Sequence, residues 1–198
     1  MTLRGQSYYT TIAADPPWPI EWRGGIQRRD GRGKMQPNRK RALSYETMSI
    51  DAIAALPVAG LSAVDAHLYL WAPDQFLISG DASRVARAWG FEPRRLIVWC
   101  KRGYGLGNFP RPAHEAMVFC TRGRLDPLVR NEGSWQIWKQ VYNAAGGREH
   151  SAKPEGAYDL IERASPGPYL ELFARRARLG WEHWGDEALQ TVEMCGSS

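Results

Sequence analysis

"TTIAADPPWPIEW", Thr10 to Trp22, decides how the rest of the chain is organised. Its first half, Thr10-Thr11-Ile12-Ala13-Ala14, reads as a short buried strand, uncharged and rich in β-branched and small residues. Asp15-Pro16-Pro17-Trp18 then interrupts it, with Pro19 next. Each proline lacks a backbone N–H and fixes φ, so neither a helix nor an inner strand continues through them. A strand ending on a carboxylate, two rigid rings and an indole delivers those groups to the edge of a sheet.

Similar apolar runs recur outward from there. "HLYLWA" (His67–Ala72), "RLIVWC" (Arg95–Cys100), "EAMVFCT" (Glu115–Thr121) and "YLELFA" (Tyr169–Ala174) each read as a strand, and "WQIWKQVY" (Trp135–Tyr142) is a further candidate. Helical patterns lie between them. Ser49 caps a helix over Ile50–Leu56 that Pro57 stops. Phe76–Trp89 carries apolar residues at three and four spacing ahead of Gly90. Pro154 suits the first turn of a helix running to about Ala164. Alternating strands and helices predict an α/β fold, a mostly parallel sheet with helices on both faces. Only the Gly/Pro-rich "KRGYGLGNFPRPAH" separates the third and fourth strands, which predicts an antiparallel pair at one end of the sheet.

The 198 residues suit a single domain spanning 1–198. No apolar run is long enough to span a bilayer, and the first ten residues lack the apolar core of a signal peptide. Cys100, Cys120 and Cys195 are widely spaced, which argues against a zinc cage or disulfide framework. A cytoplasmic protein is expected. The net charge of +5 is unevenly spread. Residues 21–41 hold eight basic side chains against Glu21 and Asp30, a local +6, so the remaining chain carries −1. This segment, 22–41 with its four glycines, is expected to be a mobile basic loop, and its place directly after Trp18 points to a polyanion. Residues 189–198 are expected to be a flexible tail.

The groups at Asp15–Trp18 suit a planar base with an exocyclic amine. The Asp15 carboxylate accepts one N–H. The Pro16 carbonyl, locked by Pro16 and Pro17, accepts the other, and the Trp18 indole offers a stacking face. Two acceptors in the amine plane draw its lone pair out of conjugation. A plain Asp-Pro turn beside a core tryptophan is the competing reading.

"ADPPW" resembles the signature of the Asp-Pro-Pro-Trp adenine-N6 methyltransferases, a family that includes the eukaryotic mRNA adenosine methyltransferase and many bacterial and phage relatives. The similarity continues in order through "SYETMSIDAIAALPV", "HLYLWA", "WGFEPRRLIVWCK", "HEAMVFCTRG", "REHSAKPEGAYDLIERASPGPYLELFARR" and "GWEHWGDE". It implies a circularly permuted, Rossmann-like class I methyltransferase fold, S-adenosylmethionine as cofactor, and methyl transfer to N6 of adenine in nucleic acid; the family spans DNA and RNA substrates, and DNA is the polymer expected here. Asp15, Pro16, Pro17 and Trp18 match the catalytic positions. Ala14, His150, Lys153, Glu171, Phe173, Arg175, Asp186 and Glu187 match positions around the cofactor, although the usual Gly-rich turn after the cofactor strand is missing and Asp186 stands for the usual Asn. Glu115 matches an acidic residue near the substrate. From their own places in the sequence, Tyr45 is expected to line the base pocket, Trp71 and Trp99 to end strands on the active side of the sheet, Lys101 to face the nucleic-acid backbone, and Arg28, Arg29, Arg39, Lys40 and Arg41 of the basic loop to grip the substrate. Each of these residue types also serves packing or ion pairing. No metal is implied. The family includes stand-alone forms and heterodimers, so a homodimer or a partner subunit both remain open, as do RNA methylation and a non-catalytic scaffold.

Overall fold

The structure is a computed structural model that describes residues 8–20, 46–103, 110–139 and 152–185. Its strands are β1 (Tyr9–Ala14), β2 (Ser62–Ala72), β3 (Glu92–Cys100), β4 (His114–Arg122), β5 (Trp135–Gln136), β6 (Tyr169–Leu172) and β7 (Trp181–Trp184). Its helices are α1 (Ile50–Ala54), α2 (Val58–Leu61), α3 (Asp74–Ile78), α4 (Asp81–Ala88) and α5 (Glu155–Ala164). The strands form one sheet in the order β5-β3-β4-β2-β1-β6-β7. Only β4 runs against its neighbours. β1 is therefore central, with β2 on one side and β6, more than 150 residues later, on the other. The first strand lying beside a late one is the permuted order the resemblance implies.

Side-chain alternation along the inner strands divides the core in two. Ile12, Leu68 and Leu70 face α1, α3 and α4, where Ile53, Phe76, Val85 and Trp89 are buried. Ala13, Tyr69, Trp71, Trp99 and Met117 face α5, against Tyr158, Leu160 and Ile161. Helices thus cover both faces. Ser49 caps α1 as expected, its hydroxyl accepting from the Ala52 N–H. Among the described residues no helix is long and apolar enough to cross a membrane.

Three expectations are corrected and one strand is new. The helix read over Phe76–Trp89 is two helices, broken at Gly80, whose φ of 85° a helix cannot contain. Pro154 is the N-cap of α5 rather than a residue of its first turn. The antiparallel pair β3–β4 lies inside the sheet, because β5 adds a parallel edge strand beyond β3. β7 has no counterpart in the sequence reading; its Trp181 and His183 face inward, and it covers the outer edge of β6. The basic loop over 22–41 and the tail over 189–198 lie outside the described residues.

Candidate active site

In open α/β sheets the functional edge lies beyond the carboxyl ends of the parallel strands. Here that edge collects Asp15 after β1, Trp71 near the end of β2, and Trp99 with Lys101 at the end of β3. Because β4 is reversed, its beginning reaches the same edge and brings Glu115. Lys153 stands two residues ahead of α5.

These residues form a chain of alternating charge. The Lys153 ammonium lies 2.8 Å from Asp15 Oδ2 and 3.3 Å from Glu115 Oε2, and Lys101 pairs with the other oxygen of Glu115. Each cation also stands on an indole, Lys153 Nζ at 5.1 Å from the Trp71 ring and Lys101 Nζ at 4.6 Å from the Trp99 ring. Burial alone would push the Lys153 ammonium down, but Asp15 and Glu115 outweigh it and hold the group above the usual lysine range. Burial would likewise raise the Glu115 carboxyl, yet Lys153 and Lys101 hold it below the usual glutamate range. Lys153 also meets the positive end of the α5 dipole, so the two carboxylates are what make its position tolerable.

Lys153→Met should destabilise the fold by about 3 kcal/mol at neutral pH, the low end for one partner of a buried pair, since the carboxylates still meet some solvent. The sign with pH follows from Glu115. Its depressed folded value stabilises the wild type above the ordinary glutamate value of 4.5 and fades as pH falls below it. The urea-midpoint gap between wild type and Lys153→Met should therefore narrow on acidification below about pH 4.5.

The backbone around Asp15 is tightly held. The Asp15 N–H donates to the Leu172 carbonyl on β6, and Met48 N–H donates to the Pro17 carbonyl. The Pro16 carbonyl accepts the Trp18 N–H at 2.8 Å across a three-residue turn, which holds it and leaves its second lone pair. Ala14 is buried as the last residue of β1.

Trp18 departs from expectation. Its indole is 2% exposed, stacks on Phe76 at 4.9 Å and 23°, and donates from Nε1 to the Trp71 carbonyl at 2.9 Å. It offers no open face to a base; it locks the strand end to the core. Trp71 and Trp99 are also buried, and each carries a lysine on its ring. Trp99 further donates to the Trp138 carbonyl. The Trp138 ring fits there because residue 156, in the first turn of α5, is glycine: a Cβ would meet the ring at 2.3 Å. Lys101, expected to face the nucleic-acid backbone, is instead engaged by Glu115 and Trp99.

A second group lies at the end of β6. Glu171 sits opposite Ala13 of β1 and His183 of β7. The Tyr158 hydroxyl donates to Glu171 Oε1 at 2.6 Å, while Glu171 Oε2 is buried without a partner among the described residues. Burial, with Asp15 adding to it, pushes the Glu171 carboxyl up to about 7. Next comes Phe173 at φ 64°, a left-handed conformation unusual for a bulky residue, held by edge-on packing against Trp184 at 5.3 Å. Arg175 follows and is half-buried. A cleft of about 420 Å³ opens here, lined by Tyr158, Glu171, Arg176 and Arg178 among others. Arg178 is tied to Glu155, Asp159 and Glu162 of α5, and its N–H donates to His183 Nε2 at 2.8 Å. Sequence reasoning missed Tyr158 and Arg178; Tyr158 lies four residues after Pro154, on the face of α5 that carries Ala157, Leu160 and Ile161 to the sheet.

Tyr45, Arg28, Arg29, Arg39, Lys40, Arg41, His150, Asp186 and Glu187 lie outside the described residues. Among the described ones, Asp15, Pro16, Lys153, Glu115, Lys101, Trp71 and Trp99 share one edge, with Glu171 and Phe173 on the neighbouring strand.

Comparison with known proteins places this geometry among relatives. The MT-A70 family profile matches residues 9–187. The Type II methyltransferase M.MunI of a Mycoplasma species is 27% identical over 190 residues, which cover 90% of this chain and 77% of that protein. A probable N(6)-adenosine-methyltransferase MT-A70-like protein of Oryza sativa is 30% identical over 203 residues, 94% of this chain and 24% of that protein. The N(6)-adenosine-methyltransferase catalytic subunit METTL3 of Homo sapiens is 28% identical over 176 residues, 84% of this chain and 26% of that protein. The chain thus spans about a quarter of the length of the plant and human relatives.

Proposed function

The chain belongs to the MT-A70 family, and from that premise we propose that it methylates N6 of adenine in nucleic acid, with DNA as the polymer. The observation that carries this reading is Asp15, held at the end of the central strand by Lys153 beside a turn-held Pro16 carbonyl. The assignment to DNA rests on the likeness to a Type II methyltransferase, of which the chain covers 77%. Methylation of RNA is the second reading, favoured by the N(6)-adenosine-methyltransferase relatives.

S-adenosylmethionine, when bound, would supply the methyl group from its sulfonium. The residues present fit such a ligand. Glu171 Oε2, buried and without a partner among the described residues, calls for a hydrogen-bond donor, and the ligand's ammonium and ribose hydroxyls are donors. Ala14, Lys153, Glu171, Phe173 and Arg175 would hold it, with His150, Asp186 and Glu187 from outside the described residues.

Asp15 accepts one N–H of the adenine amine and the Pro16 carbonyl accepts the second, which fixes the amine plane and frees its lone pair. Lys153 holds the Asp15 side chain in place through their 2.8 Å ion pair. The proton lost from the amine leaves through Asp15 or water. In a duplex the adenine would have to leave the stack to reach this edge. Of the side chains proposed for stacking, Trp18 is corrected to a structural role. The basic excess at 21–41 supports a polyanionic substrate. A cytoplasmic site of action follows from that reading.

Incubation with duplex DNA, single-stranded DNA and RNA in parallel, followed by nucleoside mass spectrometry, should give N6-methyladenine from DNA above RNA. The reverse order would move the assignment to RNA, and no product from any of the three would leave a scaffold.

A further inference from the structure

The reading above gives Glu171 Oε2 a ligand donor but assigns it no proton, and it gives Tyr158 no part. Tyr158 is 6% exposed and Glu171 9%, so their bond is sheltered. The two oxygens of Glu171 are not equivalent. Oε1 accepts the Tyr158 hydroxyl at 2.6 Å; Oε2 is buried with no partner among the described residues, on a residue that lines the cleft. A buried carboxylate oxygen left bare is costly, and a bound proton is the simplest way to relieve it.

We propose that Glu171 is a proton-exchanging seat: in the free chain Oε2 carries a proton, and a cationic or hydroxyl donor entering the cleft takes that place and expels the proton to solvent, with Tyr158 as the positioning residue that reserves Oε1 and so decides which oxygen exchanges. The balance is one O–H broken at Oε2, one donor hydrogen bond formed to the resulting carboxylate, and one proton taken up by buffer. The proposal rests on the cofactor reading given above.

The surroundings agree from every side. Asp15, at the end of β1, disfavours a second negative charge nearby, and burial adds to this, lifting the Glu171 carboxyl to about 7. Arg176 and Arg178, from the segment after β6, oppose that effect without cancelling it. Their guanidinium groups lie over the Tyr158 ring, at 5.8 and 5.0 Å, and hold it in place. His183, opposite on β7, is kept below its usual range by burial and uses Nε2 to accept from Arg178. Lys153 pairs with Asp15 and Glu115 rather than with Glu171. The Tyr158 phenol is pushed far up, chiefly by burial and then by Glu171, so it remains a donor throughout the working pH range.

Two measurements test this. In the first, side-chain carboxyl NMR of the free chain, with Glu171→Gln identifying the resonance, should show Glu171 titrating near neutrality. Tyr158→Phe removes a donor that favours the charged form, so the midpoint should move upward by roughly half a unit or more. A merely structural tyrosine would leave it in place. In the second, titration calorimetry with S-adenosylhomocysteine at pH 7, in buffers of differing ionisation heat, should give release of about half a proton per ligand bound. Glu171→Gln should bind about tenfold more weakly with no proton release. A Glu171 midpoint near 4.5, or one unmoved by Tyr158→Phe, overturns the inference. Binding heat without proton release sinks the exchange alone; absence of any binding heat sinks the cofactor reading and the exchange with it.

Discussion

Asp15→Asn should lower the rate of N6-methyladenine formation by about 10²–10³-fold, the usual consequence of removing one preorganised polar contact from a reacting centre. The size of the effect follows from Lys153. The ammonium 2.8 Å from Oδ2 turns the oxygen of an asparagine toward itself. The amide NH2 then faces the adenine amine, donor against donor, where the wild type offers an acceptor. Asn should therefore be at least as poor as Ala, although it is nearly isosteric. The fold should hold, because the Asp15 side chain is only partly buried and its main-chain bond to Leu172 remains. The loss should fall mainly on kcat. Nucleoside mass spectrometry for rate and thermal melting for fold provide the check; an undiminished rate would remove Asp15 from the chemistry.

Trp18→Ala should cost about 3–5 kcal/mol of stability, the range for deleting a large buried aromatic, and lower Tm by about 10 °C. The ring removed is 2% exposed, lies on Phe76, and supplies the hydrogen bond that satisfies the Trp71 carbonyl. Trp18→Phe keeps an aromatic stack and loses only the bond, so its cost should be about 1–3 kcal/mol. Denaturant unfolding separates the two variants. If Trp18→Ala instead kept a wild-type melting point and lost only substrate affinity, Trp18 would be a stacking surface after all.

Trp18 also marks where sequence reasoning stops. The strand ending at Ala14 and its abrupt halt were legible because prolines act locally on φ and on N–H supply. The Ser49 cap and the Gly90 stop were legible for the same reason. The orientation of the Trp18 ring depends on a carbonyl 53 residues away, and no local pattern holds that information. Lys101 failed likewise: a lysine after a strand suggests solvent, but its ammonium is claimed by Glu115 from a strand running the opposite way. β7 was invisible because four residues, "WEHW", are too short for a period of two to stand out. Tyr158 and Arg178 find Glu171 and the acids of α5 only once β6 has docked.

The central place of β1 has a consequence during synthesis. Its first neighbour, β2, ends at Ala72, but its second, β6, is not complete until Leu172. At roughly 5–20 residues per second, the ribosome leaves one side of β1 open for several seconds to half a minute. An unpaired apolar strand edge is a template for another chain. Pro16, Pro17 and Pro19 lack the N–H groups that would extend such pairing past Ala14. The rigid rings that hold the Pro16 carbonyl in the finished protein therefore also guard the nascent chain, limiting aggregation at the strand that must wait longest for its partner.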